Sequence, residues 1–175
     1  GGVFAEGQLR VGSGGRLFHM YKFRTMVPGA HRNLREDPRY RQLYTRQKKN
    51  GKLTLSEDIR ITLVGRFLRK WDLDELPQLI NVIRGEMSLV GPRPYFPEEL
   101  ASIQRSVTHG ARLVVKMLKV RPGMTGVWQV SGRNDIPIEK RLRIDASYAS
   151  GRTFVDDVKI LLRTPWVVLS RRGAW

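Results

Sequence analysis

Apolar residues recur at helical spacing in two adjacent stretches. From Thr62 onward, Leu63, Val64, Phe67, Leu68 and Trp71 share one side and Arg66, Arg69 and Lys70 the other, which predicts a basic amphipathic helix. Leu76, Leu79, Ile80 and Ile83 then follow an i, i+3, i+4, i+7 pattern, which predicts a second helix with one buried stripe. Pro77 suits only a first helical turn, and Gly85 supplies a stop. Between the two lies the acid pair Asp74-Glu75, at or just before a helix N-terminus. There the macrodipole stabilises carboxylates and also favours bound anions such as phosphate. The same residues read equally as caps, since Asp72-x-x-Glu75 has capping-box spacing and Asp74 is itself a good N-cap.

Earlier in the chain, Val11–Arg16 is glycine-rich without the Lys-Ser/Thr ending of a phosphate-binding loop, and reads as a hairpin turn. Residues 17–26 read as a strand. Alternation puts Lys22 and Arg24 on one face and Tyr21 and Phe23 on the other, so the two cations are either a phosphate clamp or an ordinary solvated face. Residues 28–52 are polar and basic throughout, with Tyr40 and Tyr44 interleaved. They read as a mobile charged loop, ahead of a nucleic-acid or membrane-surface patch.

Beyond the acid pair, Met87–Val90 is short and apolar, and Gly91-Pro92-Arg93-Pro94 holds Arg93 between two fixed prolines. Such an arginine is either a pre-organised anion clamp or incidental to a turn. Pro97-Glu98-Glu99 opens a helix, and a further basic helix carries Arg112, Lys116 and Lys119 around Leu113, Val114, Met117 and Leu118. Residues 124–130 read as a strand ended by the turn 131–134, where Arg133 follows a glycine that lets the backbone approach a ligand. From Pro137, Ile138, Leu142, Asp145 and Ala149 share one helical face. Asp145 there needs a partner, either a buried arginine or a metal. Residues 156–170 carry a polar strip of Asp156, Lys159, Arg163 and Ser170 and are almost all apolar otherwise, and Pro165 is expected to kink or break the helix. With Arg171, Arg172 and Trp175 beyond, this segment suits either a membrane-interface helix or a core-packed terminal one.

Composition narrows the chemistry. A chain of 175 residues fits one domain with a real core, and the whole pattern predicts an α+β, helix-rich domain with a few short strands and amphipathic helices. A net charge of +16 and a pI near 11 call for anionic partners. The absence of cysteine excludes thiolate chemistry and disulfides, and three scattered histidines (His19, His31, His109) argue against zinc. No apolar run of about 20 residues would span a bilayer. No helix-turn-helix, zinc or aromatic-platform signature supports nucleic-acid binding, so none is expected.

Taken in order, Lys22-Phe-Arg-Thr-Met26, Asp74-Glu-Leu-Pro-Gln-Leu79, Met87-Ser-Leu-Val-Gly-Pro-Arg-Pro94 and Arg121-Pro-Gly-Met-Thr-Gly-Val-Trp-Gln-Val-Ser-Gly-Arg133 resemble the bacterial sugar transferase family over essentially the whole chain. These are the monotopic polyprenyl-phosphate phosphoglycosyl transferases. The resemblance implies a catalytic domain over residues 1–175. It would move sugar-1-phosphate from a nucleotide-diphosphate sugar, usually a UDP-sugar, to undecaprenyl phosphate through an aspartyl-phosphosugar intermediate, at the start of exopolysaccharide, capsule, O-antigen or glycoprotein glycan assembly. Asp74 would be the nucleophile and Glu75 its partner; Lys22, Arg24, Arg93, Gln129 and Arg133 would bind substrate and phosphate. Mg²⁺ would sit at Asp74 and Glu75, with Asp72 and Asp145 in support. An anionic membrane surface on the cytoplasmic face of the bacterial inner membrane is the implied setting, and a homo-oligomer is left open.

Two departures stand out. The family's apolar re-entrant helix before the Gly-rich turn is not among these residues, so the chain is expected to be the domain without its anchor. Trp71-Asp72 stands where a Thr-Ser pair is expected, and Asp72 would either tighten Mg²⁺ binding or act as a cap.

Overall fold

The fold is built from helices wrapped around two very short sheets. The structure is a computed structural model. It describes residues 2–5, 9–50, 53 and 57–170, without the side chains of His31, Lys49, Asn50 and Asn134. Strands β1 (Leu9–Val11) and β2 (Leu17–His19) form an antiparallel hairpin with Arg10 opposite Phe18, and the Gly-rich turn closes it. The strand expected over 17–26 therefore ends at His19. Beyond it the backbone bonds to loops and side chains: Tyr21 N–H to Asn81 Oδ1 (2.9 Å), Phe23 N–H to the Asp74 carbonyl (2.9 Å) and Arg24 N–H to the Val3 carbonyl (2.8 Å). Those bonds draw residues 20–26 against the acid pair.

The basic segment is not a loop. It folds as α1 (Ala30–Glu36), a 3₁₀ turn (Pro38–Tyr40) and α2 (Arg41–Asn50), because Ala30, Leu34 and Leu43 give it an apolar footing that its charge conceals in the sequence. Gly51 and Lys52, at its end, lie outside the described residues.

Helix α3 (Leu63–Lys70) is as expected, with the Thr62 hydroxyl accepting the Gly65 N–H at 2.9 Å as an N-cap. Gly65 lets α3 lie directly on the chain at Thr25, where a Cβ would come within 2.0 Å of the Thr25 carbonyl oxygen. A 3₁₀ turn (Leu73–Glu75) and α4 (Gln78–Ile83) follow. The helix is where the pattern predicts it, but its faces are inverted. Gln78 and Asn81 are buried (2% and 0% exposed), whereas Leu76, Leu79, Ile80 and Ile83 are exposed, Ile83 at 86%. Asn81 explains the inversion. Its amide donates to the His19 carbonyl (2.8 Å) and to Glu86 Oε2 (2.6 Å) and accepts the Tyr21 N–H, tying the polar side to the hairpin.

Strand β3 (Ser88–Val90) pairs in parallel with β4 (Gly123–Thr125), Val90 opposite Thr125. The glycines around them are required by contact. A Cβ on Gly123 or Gly126 would lie 2.0 or 2.2 Å from the Gly91 backbone. The strand expected over 124–130 stops at Thr125 and turns into α7 (Val127–Ser131), since Gly126 pivots the chain and Trp128 is buried.

Helices α5 (Pro97–Ser106), α6 (Gly110–Met117) and α8 (Ile138–Gly151) enclose Tyr95, Leu100, Ile103, Val114, Met117 and Leu142 as the main core. Smaller cores form around Phe18, Met20 and Met87, and around Val90, Tyr148 and Ile160. Helix α9 (Phe154–Ser170) is not broken at Pro165. The hydroxyl of Thr164 donates to the Ile160 carbonyl (2.8 Å), and Leu161, whose carbonyl loses its partner to the proline, is solvent-accessible. One edge of α9 packs through Ile160, while Phe154, Leu162, Trp166 and Leu169 stay exposed. Arg171, Arg172 and Trp175 lie outside the described residues. The whole is a single α+β domain in which, among the described residues, no helix is long and apolar enough to cross a membrane.

Candidate active site

Asp74 sits on the 3₁₀ turn just before α4 and is 2% exposed, an unusual depth for a carboxylate that only caps a helix. Lys22 Nζ lies 2.9 Å from Asp74 Oδ2 and 3.1 Å from Glu75 Oε1, so one ammonium bridges both acids. The Glu75 contact is a directed hydrogen bond, whereas Asp74 Oδ2 is buried without any. Burial pushes Glu75 up, but the charges of Lys22 and Arg93 and the Lys22 and Gln78 hydrogen bonds outweigh it and leave the carboxyl below its ordinary range. Burial likewise lowers Lys22, yet the two acids more than offset it and keep the ammonium charged.

Of the other sequence-predicted residues, Arg93 acts on Glu75 through its charge and Arg133 bonds to the turn that carries the pair, whereas Gln129 and Arg24 lie on neighbouring elements. Arg93, between its prolines, points its guanidinium toward Tyr95 and Trp128 (5.8 and 5.5 Å from the ring centres), and its buried Nε–H has no acceptor. Gln129, on α7, has a buried Oε1 without a donor, beside Gly126. Arg133 reaches the turn from the far side, where its Nη2 donates to Asp72 Oδ2. Asp72 therefore does not cap the turn; its carboxylate is spent on Arg133. Arg24 lines a neighbouring apolar groove with Val3, Phe23, Met26, Val64 and Leu68.

Asp145 lies under the site on α8, 1% exposed, and accepts the Arg93 backbone N–H at 3.3 Å. Its partner is thus a backbone amide, with the Arg93 and Arg141 charges nearby rather than clamped on it. Burial pushes it up to about 7, despite that N–H and those charges.

Two cations near the pair escaped the sequence reading. Burial lowers Arg69, while Asp74 and Asp58 pull it back up, and its Nε donates to Thr25 Oγ1 at 2.8 Å. Arg10 is buried on β1 with its guanidinium 3.1 Å above the Phe96 ring. Burial and Arg93 bring it down to about 10, against the opposing charges of Glu99 and Glu75. In the sequence Arg69 is only part of the polar side of an amphipathic helix, and no pattern or motif draws attention to Arg10.

For a divalent cation the donors that fit are Asp74, whose Oδ2 has unused acceptor capacity, and the partly exposed Glu75. Mg²⁺ is commonly held by one or two carboxylates, with water and substrate phosphate completing the shell. Asp72, engaged by Arg133, and Asp145, engaged by the Arg93 amide, do not converge on the pair. Among the described residues no group of three or more His, Cys, Asp or Glu side chains is arranged to hold a metal.

A family model described as bacterial sugar transferase matches residues 1–171. The chain is 45% identical, over its full length, to a Salmonella typhimurium protein named undecaprenyl-phosphate galactose phosphotransferase, of which it covers 35%. It is 42% identical to the exopolysaccharide production protein ExoY of Rhizobium meliloti over 98% of its own length and 73% of that protein. Against the UDP-glucose:undecaprenyl-phosphate glucose-1-phosphate transferase of Xanthomonas campestris pv. campestris it is 35% identical, with 96% of this chain and 32% of that one covered. It spans about a third of the Salmonella and Xanthomonas proteins. A match over nearly every residue, together with these relatives, leads to one conclusion: the chain belongs to the bacterial sugar transferase family.

Proposed function

We propose that the chain is the catalytic domain of a phosphoglycosyl transferase that moves sugar-1-phosphate from a UDP-sugar to undecaprenyl phosphate. The observation that carries this reading is the state of the predicted site. Arg93 Nε and Gln129 Oε1 are buried without a hydrogen-bond partner, and the buried Asp74 Oδ2 has only the Lys22 ammonium, which it shares with Glu75. Leaving such groups unmet costs stability, and it is expected where a ligand supplies the missing partners. The names of the Salmonella and Xanthomonas relatives support the substrate classes.

The steps follow from the residues. An oxygen of Asp74 attacks the phosphorus that carries the sugar, the bond from that phosphorus to the bridging oxygen breaks, and UMP leaves with the electron pair. An oxygen of the lipid phosphate then attacks the same phosphorus, the aspartyl–phosphorus bond breaks, and Asp74 returns as a carboxylate while the lipid leaves as a diphosphate-linked sugar. A carboxylate nucleophile splits one displacement into two. Lys22 and Arg93 neutralise phosphate charge, Arg133 holds the nucleotide end, and Glu75 accepts the proton of the lipid phosphate. Mg²⁺ bound at Asp74 and Glu75 would supply further neutralisation of the diphosphate. Arg24 would meet an anion at the edge of its own groove.

Exposed apolar residues support a membrane setting. Leu63 and Phe67 on α3, Leu79 and Ile83 on α4, and Leu162 and Trp166 on α9 all face outward. With a charge of +16, such faces suit the anionic, cytoplasmic surface of a bacterial inner membrane, at about 1 kcal/mol per well-placed cation. The test is UMP release by the protein in lipid nanodiscs given undecaprenyl phosphate and a panel of UDP-sugars. One sugar is expected to give Mg²⁺-dependent UMP, lost in Asp74→Asn. Normal turnover in Asp74→Asn overturns the mechanism, and no turnover with any donor makes the domain an inactive surface adaptor.

A further inference from the structure

Asp72 and Arg133 lie 61 residues apart in sequence, yet share two properties. Each adopts a left-handed backbone (φ 53° and 50°), a conformation that only three non-glycine residues adopt among those described, and each is the other's ion partner. A left-handed Asp ordinarily bonds to its own backbone nearby. Asp72 makes no side-chain cap bond to its turn; its carboxylate points across to the loop after α7. Two strained residues that meet tip to tip mark a geometry held for a purpose beyond local folding.

The placement says what the purpose is. Asp72 begins the turn that carries Asp74, and its carbonyl accepts the Glu75 N–H at 3.2 Å. Arg133 opens a 3₁₀ turn directly after Gly132, where nothing in the sequence restrains its long side chain. The ion pair ties the reactive turn to that loop, and leaves Arg133 only 15% exposed beside Asp72 at 36%. The bond uses one terminal nitrogen of a guanidinium that carries five N–H groups, so an anion can be bound alongside it. A tethered arginine loses less freedom when a ligand arrives than an untethered one.

We propose that Asp72 is a positioning residue for nucleotide binding: its carboxylate holds Arg133 beside the acid-pair turn, so that the guanidinium meets the donor's phosphate already oriented. This rests on the phosphosugar-transfer reading and deepens it. Asp72 neither binds a metal nor touches the reacting phosphorus; it acts through Arg133.

The experiment compares wild type, Asp72→Ala, Asp72→Glu, Arg133→Ala and the Asp72→Ala/Arg133→Ala double variant. UMP affinity is read by calorimetry, and donor KM and kcat by UMP release. Asp72→Asn replaces Asp72→Ala if melting curves show the latter unfolded. Asp72→Ala is expected to weaken UMP binding and raise donor KM about tenfold, with kcat changing less than threefold. Asp72→Glu restores part of the loss, and the double variant is no worse than Arg133→Ala alone. Additive losses, an unchanged or lower KM, or a fall in kcat alone each overturn the positioning role while the transferase reading stands. Failure of the wild type to bind or release UMP overturns both.

Discussion

Two carboxylate–cation contacts in this fold are built in opposite ways. Asp58 and Arg60 are both buried and close on each other completely. Arg60 Nε and Nη2 reach the two Asp58 oxygens at 2.7 and 2.6 Å, the Arg60 N–H adds a third bond, and Nη1 reaches the Ala30 carbonyl. The fork of a guanidinium matches a carboxylate, and nothing is left over for a ligand. Asp74 is buried as deeply, but faces a lysine, a point charge shared with Glu75, and its Oδ2 keeps unused capacity. The contrast separates a pair that holds the chain together from a pair held ready for something else.

The largest expected effect on stability breaks the closed pair. Asp58→Asn leaves Arg60 buried and uncompensated and should cost about 3–5 kcal/mol in urea unfolding. If the two contacts were alike, Asp74→Asn would cost as much; with Lys22 still able to pair with Glu75, it should cost far less.

Asp145 sharpens the comparison by pH. With a folded value raised from 3.8 to about 7, the native protein keeps a proton that the unfolded chain has released between those values. Stability from this group is therefore full below about pH 4 and lost as pH rises through 7, by up to about 4 kcal/mol in magnitude. Asp145→Asn, which still accepts the Arg93 N–H, should remove that slope, and denaturation of both proteins from pH 4 to 8 measures it. Equal slopes would mean that Asp145 is not held protonated.

Lys22→Met is read in activity. Without the ammonium, Glu75 loses the first charge that offsets its burial and moves up from its depressed value. The acid limb of the pH–rate profile for UMP release should shift to higher pH, and an unmoved limb would detach Lys22 from Glu75. Smallest of all, Ile83→Ser removes a side chain already 86% exposed, so stability in solution should change by less than about 0.5 kcal/mol. Binding to anionic vesicles should nevertheless fall by roughly threefold or more, as expected for loss of an apolar contact with lipid.

These contrasts also explain what could be read in the chain. Helical spacing located α3, α4, α6 and α8, because their apolar residues repeat over two turns or more, and Pro97-Glu98-Glu99 marked the start of α5. It could not say that α4 turns Gln78 and Asn81 inward, since that choice depends on carbonyls and amides supplied by residues 19 and 21, some 60 positions away. Nor could it see α1 and α2, where a few apolar anchors are diluted by cations, or stop residues 17–26 and 124–130 short of full strands, which the three-residue partners decide. The site residues came from short motifs in a recognised order, which brought in Lys22, Asp74, Glu75, Arg93, Gln129 and Arg133. Arg10 and Arg69 carry no local signal and needed the fold to be found.

The central claim is that Asp74 is kept open to become an acyl phosphate. Intact-mass spectrometry of the protein mixed with its UDP-sugar, without lipid acceptor, tests it most directly. The account predicts a gain of one sugar phosphate on the wild type, mapped to Asp74, discharged by undecaprenyl phosphate and missing in Asp74→Asn. A wild type that releases UMP only when the lipid is present, with no adduct at any time, would contradict it.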